Sequence, residues 1–175
     1  MNQDLQLKLS AQFTGQRSVA KEFLGSFDTR VVGSRAALSY KNAIVTTAFS
    51  VTASEAPIRS PFGTSPGYLS LIEKDFNRAG ESAWLTGLSY DWRRFGIPGL
   101  SFTVNFARGY GARDAAADTS LPDEEEFDIT VDYRVQHGPL RGIWFRVRNG
   151  YVDFDRKGGS VNNVRVIINY ELPVL

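Results

Sequence analysis

Cysteine is absent from this 175-residue chain, and histidine occurs once, as His137. A Cys/His zinc site, a disulfide framework and a cysteine nucleophile are thereby excluded, and no metal or cofactor is expected. A charge excess is missing too: 20 Lys and Arg stand against 19 Asp and Glu, so nothing marks a nucleic-acid partner. No run of about 18 apolar residues occurs, which rules out a transmembrane helix. The opening MNQDLQLKLS lacks a basic start followed by an apolar stretch, so no signal peptide is read there. The length suits a single domain over residues 1–175. What the chain holds in plenty is aromatic residues (3 Trp, 7 Tyr, 12 Phe) and 16 glycines, a mixture that favours strands and turns.

Alternation with period 2 runs through the whole chain. Leu5, Leu7, Leu9, Ala11 and Phe13 share one face of a first strand, with Gln6, Lys8, Ser10, Gln12 and Thr14 on the other. Seven further segments repeat this theme, around Ala36–Tyr40, Val45–Val51, Trp84–Trp92, Leu100–Phe106, Phe127–Val135, Phe145–Tyr151 and Val164–Leu172. Two residues break it. Arg108 falls on the apolar face of its strand, which a bulge or a place at a membrane rim would explain, and Ile167 falls on a polar face.

The connections alternate in length. Lys41-Asn42, RRFGIPG (93–99) and HGPLRG (137–142) are short; residues 15–27, 54–81, 111–126 and 154–162 form longer ones. Eight strands with short turns at one end and long loops at the other predict an all-β, antiparallel, up-and-down barrel. A soluble barrel would turn its apolar face inward; a transmembrane β-barrel would turn it outward, with short periplasmic turns and long external loops. Three features favour the membrane arrangement. The polar faces carry Ser, Thr, Gly and Ala with Arg and Asp together, as a polar lumen does. Aromatics gather at both ends of the apolar faces: Tyr40, Tyr90, Trp92, Tyr133 and Tyr170 towards the short turns, Trp84, Tyr110, Phe127 and Tyr151 towards the long loops. The segments also approach the about 9–11 residues that a tilted strand needs to cross a bilayer.

Enzymatic readings find little support. His137 sits in a short turn without a Ser or Asp constellation, GYGARD (109–114) precedes no helix, and Asp128 and Asp132 imply no substrate cleft.

Longer strings are specific. SPFGTSPGYLSLIEKDFNRAGESAWLTGLSYDW (60–92), GIPGLSFTVNFARGYGARD (96–114), LPDEEEFDITVDYR (121–134), GPLRGIWFRVRNGYVD (138–153) and VRVIINYELPVL (164–175) resemble the OprD family of outer-membrane porins. The resemblance begins near residue 30 and follows loops and strands in order. It implies a Gram-negative outer-membrane channel, surrounded by membrane lipid and lipopolysaccharide, for small carboxylate-bearing solutes such as basic amino acids or aromatic acids. It further implies eighteen-stranded barrels, of which this chain would be the C-terminal part. Eight strands give an interior just filled by side chains. A closed form is therefore expected to be a small structural barrel without an open pore, whereas an open one leaves edges that need self-association or a missing barrel half.

The resemblance also implies a basic ladder along the lumen wall, since guanidinium groups bind carboxylates bidentately and weak sites in series let a solute advance. Arg35, Arg93, Arg134, Arg146, Arg148 and Arg165 are the candidates. Arg146 and Arg148 lie two apart on one strand, about 6–7 Å from each other. The competing reading pairs these arginines with Asp91, Asp128, Asp132 and Glu171 on the same faces. In the long connection 54–81, APIRSPFGTSPGYL reads as loop and LSLIEKDF (69–76) as a short helix. The resemblance implies a loop that folds inward and narrows the pore, with Arg59, Ser60, Tyr68, Lys74 and Asp75 at a constriction; the alternative is an external loop over the barrel mouth. The acidic run DEEE (123–126) is expected in another external loop as a solvated patch.

Overall fold

The computed structural model describes residues 4–19, 25–60, 63, 65–155 and 159–170. Eight long strands follow one another in chain order: β1 (Leu5–Arg17), β2 (Asp28–Tyr40), β3 (Ala43–Thr52), β4 (Ser82–Asp91), β5 (Leu100–Tyr110), β8 (Glu124–Arg134), β9 (Ile143–Phe154) and β10 (Gly159–Tyr170). Two short strands, β6 (Arg113–Asp114) and β7 (Thr119–Ser120), pair with each other inside the connection between β5 and β8. Every neighbouring pair of long strands is antiparallel, in the order β1-β2-β3-β4-β5-β8-β9-β10.

Of the closed and open forms that eight strands allow, the structure has the open one. Among the described residues β1 and β10 do not pair, and the sheet is open with these two strands as its edges. Period 2 dictates which way a side chain points but carries no information on closure. Strands also reach further towards the long loops than the alternation alone indicates. β1 runs on to Arg17, β2 starts at Asp28, and β8 starts at Glu124, so the acidic run lies largely within a strand.

The register aligns the apolar residues of all eight strands on one bare face. One row across it reads Leu7, Leu38, Val45, Leu88, Val104, Ile129, Asn149 and Val164. Large side chains on this face are widely exposed, with Leu9 at 71% and Val166 at 69%. Trp84, Tyr110, Phe127 and Tyr151 lie on it towards the long connections, and Tyr40, Tyr133 and Tyr170 towards the short ones. Near the short-turn end Tyr90, Trp92 and Phe95 form a ring cluster, centroids 5.3–6.0 Å apart. Arg108 is not at a bulge, because the register on both sides of it is unbroken. It lies at the rim and bonds Glu125 (2.8 Å), Asp123 (3.4 Å) and Asp155 (3.5 Å).

Short turns follow from local chemistry. Lys41 takes a left-handed conformation (φ 52°) between β2 and β3. Trp92–Phe95 form a 3-10 turn, capped by the Asp91 side chain accepting from Arg93 N and closed by Gly96 at φ 79°. This turn is the only helix among the described residues, so the helix expected over 69–76 is absent. The reason is visible in its backbone: the N–H groups of Ile72, Glu73 and Lys74 bond to side chains of the sheet instead of to carbonyls one helical turn back.

The described residues of the connection 53–81 fold onto the polar face. Leu69 and Phe76, each 2% exposed, pack over Ala48, Ala83, Leu85 and Ala107, with Tyr68 and Leu71 alongside. The wall residues beneath are small because a second layer lies on top of them. Fully burying a side chain of the Leu or Phe kind contributes about 1.5–3 kcal/mol, enough for a few anchors to hold the loop.

Candidate functional site: a loop-lined basic row on the polar face

The site is assembled from β8, β9, β10 and the loop. Alternation on β8 turns Glu124, Glu126, Asp128, Thr130 and Asp132 to the polar face. Glu126 is fully buried and accepts from the backbone of Glu73 and of Lys74, at 2.8 Å on each carboxylate oxygen. Asp128 accepts from Ile72 N at 3.2 Å. Glu124 pairs with Lys74 (3.4 Å) and Arg78 (3.3 Å), and Arg78 grips the buried Glu81 at 2.6 Å. Buried carboxylates are costly unless bonded, and here loop N–H groups and loop cations supply the bonds. Glu124 and Glu126 of the acidic run thus fasten the loop, while Asp123 and Glu125 pair with Arg108, which corrects the run's reading as a solvated external patch.

Two glycines make the close approach feasible. A Cβ on Gly109 would lie 2.0 Å from Glu81 Oε1 and 2.8 Å from Phe76 Cδ1, and one on Gly150 would lie 3.1 Å from Ile72 Cγ2. Any larger residue at Gly109 would collide with the loop.

Beside this fastening lies a basic row. Thr130, Arg148 and Arg165 are successive cross-strand partners on β8, β9 and β10. Arg165 donates from Nη2 to Glu73 Oε1 (2.5 Å) and to Ile72 O (3.2 Å). Arg148 forms no ion pair among the described residues, and its buried Nε has no hydrogen-bond partner there. Arg146, one row further on, is committed: it bonds both oxygens of Asp132 and stacks over Trp144, 4.3 Å from the ring centroid.

The other expected ladder residues are dispersed. Arg35 is exposed on β2, in a row with Ser10 and Ala48, on the far half of the sheet. Arg134 is an exposed residue at the short-turn end of β8, partnered across the ladder by Trp144. Arg93 lies beyond β4 in the 3-10 turn and pairs with Asp91 at 2.6 Å; that hydrogen bond raises its pKa above the ordinary arginine value. Glu171, expected as a partner, lies outside the described residues.

The expected constriction residues belong to the loop that lies on the polar face but occupy several places. Arg59 exchanges backbone hydrogen bonds with the Gln16 amide (2.9 and 2.8 Å) and stacks over Phe27 at 4.0 Å, towards β1. The Ser60 hydroxyl is buried without a partner among the described residues. Tyr68 rests against Gly33 of β2. Lys74 pairs with Glu124 and lies 4.5 Å from the Phe154 ring centroid. Asp75 is exposed and accepts from Ser70 at 2.6 Å. Sequence reasoning missed Glu73, Ile72 and Glu126, the residues that touch the basic row or hold the loop beside it. The available signal was the polar-face phase of Glu124, Glu126 and Asp128, continuing the strand pattern upstream of Phe127.

A sheet apolar on one face, aromatic at both ends of that face and covered by a loop on its polar face has the makeup of a membrane β-barrel wall. The comparisons with known proteins agree. A family model described as "outer membrane porin, OprD family" matches residues 1–174, and the chain belongs to that family. Members of that family are outer-membrane porins of Gram-negative bacteria, which are channels and not enzymes. Porin D of Pseudomonas aeruginosa is 27% identical over 119 residues, which cover 61% of this chain and 27% of that protein. Among solved structures from the same organism, OccK5 (OpdH) superposes with a TM-score of 0.91 at 21% identity, covering 100% of this chain and 48% of that one. OpdK, solved with vanillate, gives 0.88 at 21% identity, over 95% of this chain and 44% of its own. The chain therefore spans less than half the length of these relatives.

Proposed function

We propose that this chain forms a sector of the wall of a selective outer-membrane channel, in which small carboxylate-bearing solutes pass along Arg148 and Arg165. One observation carries the reading: the 53–81 loop is fastened to the polar face by Glu126 and Asp128, directly beside the Arg148–Arg165 row. A loop folded inward narrows a lumen, and two adjacent guanidinium groups at the narrowing suit a carboxylate. The vanillate in the OpdK structure is a carboxylate of the expected aromatic-acid class. Unpaired strand edges are untenable in lipid, so β1 and β10 take strands from outside this sheet to complete a wider barrel. That requirement speaks against the small, filled barrel.

Vanillate binding to the chain refolded in detergent, followed by isothermal titration calorimetry, tests the reading without requiring a closed pore. The wild-type chain is expected to bind, and the double variant Arg148→Gln/Arg165→Gln to bind at least about tenfold more weakly, as loss of two charge-assisted contacts requires. Equal binding by the two overturns the assignment.

A further inference from the structure

Arg165 does not face an empty lumen. Its guanidinium is held by the loop, through the Glu73 carboxylate at 2.5 Å and the Ile72 carbonyl at 3.2 Å. Glu73 itself is tethered by its backbone, because its N–H donates to the buried Glu126. Its side chain is therefore delivered to Arg165 by an anchor that does not depend on the Glu73–Arg165 contact. Next to Arg165 in the same row stands Arg148, which forms no ion pair among the described residues, although the Asp128 carboxylate lies within electrostatic reach of it. The loop thus presents a carboxylate of its own to one of two adjacent arginines and, among the described residues, none to the other.

From this arrangement we infer that Glu73 is a specificity-determining residue of the proposed channel: a built-in carboxylate that competes with the solute's carboxylate for Arg165. The inference rests on the proposed carboxylate path. A solute that binds both arginines has to displace Glu73, which weakens its hold and eases its release. Permeation needs such a balance, since a site that binds too tightly traps what it should pass. Two carboxylates crowding one guanidinium also repel each other, so the penalty falls on charged solutes and spares neutral ones of the same shape.

Calorimetric titration of the refolded chain with vanillate and with its aldehyde counterpart, vanillin, tests this in mildly acidic buffer, where the vanillate carboxyl is ionised and the vanillin phenol stays protonated and neutral. In Glu73→Gln the carboxylate is removed with little change in size, and vanillate is expected to bind three- to tenfold more tightly while vanillin binding is unchanged. Glu73→Ala, which keeps the N–H that Glu126 holds, is expected to move vanillate in the same direction. Unchanged or weaker vanillate binding in both variants overturns the inference. Tightening of vanillate and vanillin alike overturns it too, since Glu73 would then act by filling space. If Arg148→Gln/Arg165→Gln still weakens vanillate in either case, the carboxylate path survives; if that variant also changes nothing, the path fails together with the role of Glu73.

Discussion

Arg146 and Asp132 face each other across β9 and β8, and the guanidinium grips both carboxylate oxygens, at 2.6 Å through Nε and 3.1 Å through Nη2. Trp144 joins them, donating from Nε1 to the same carboxylate at 2.9 Å. A candidate ladder residue is thereby drawn into a fixed wall contact. Arg146→Gln strands a partly buried carboxylate and is expected to cost about 1–3 kcal/mol in urea unfolding of the refolded chain. Arg146→Gln with Asp132→Asn should recover most of that loss. Vanillate affinity in the single variant should fall less than in Arg148→Gln.

Glu126 is the chief fastening of the loop. Glu126→Ala removes the acceptor from the N–H groups of Glu73 and Lys74, leaving two donors without their partner at about 1–3 kcal/mol each. The loop should loosen before the sheet does. Limited trypsin digestion reads this directly: cleavage after Lys74 is expected to be at least tenfold faster than in the wild-type chain, with the strands left intact.

Gly109 is required by a close approach and not by its backbone angle. In Gly109→Ala the added methyl would meet Glu81 Oε1 at 2.0 Å and Phe76 Cδ1 at 2.8 Å. Overpacking of this kind costs about 1–3 kcal/mol. A lower thermal midpoint and faster cleavage after Arg78 are the expected readouts; a wild-type melt would show that the loop yields freely.

Among the described residues Phe76 is the largest fully buried side chain of the loop, held at φ 46°. Phe76→Ala vacates its place over Ala83 and Ala107 and is expected to cost about 3–5 kcal/mol, seen as loss of the loop's protection from hydrogen exchange.

The two faces of the sheet should respond oppositely to charge. Leu88 lies on the bare face, and Thr46 on the polar face beside Gly87. In lipid vesicles Leu88→Arg is expected to cost about 2–4 kcal/mol, the penalty for arginine near the bilayer midplane. Thr46→Arg should cost under about 1 kcal/mol, because a polar lumen solvates it. Equal penalties would mean that the bare face does not meet lipid.

Period 2 by itself determined the eight strands, their two faces and the girdles, because side-chain direction in a strand is a local property. Leu5, Leu7, Leu9 and Phe13 on one strand, and Val164, Val166, Ile168 and Tyr170 on another, each had to share a face whatever lay beside them. Tertiary structure alone decided what crosses the chain. Whether β1 meets β10 depends on strand number and curvature, and no residue of either strand encodes that. DEEE became in part a fastening because Glu73 and Lys74, more than fifty positions away, bring their N–H groups to its Glu126. LSLIEKDF stayed unwound for the same reason: burying Leu69 and Phe76 on the wall and bonding to its carboxylates outweighed a short helix. Among the arginines, composition could count the charges, but only the tertiary structure paired Arg146 with Asp132, set Arg165 against Glu73 and left Arg148 without an ion pair among the described residues.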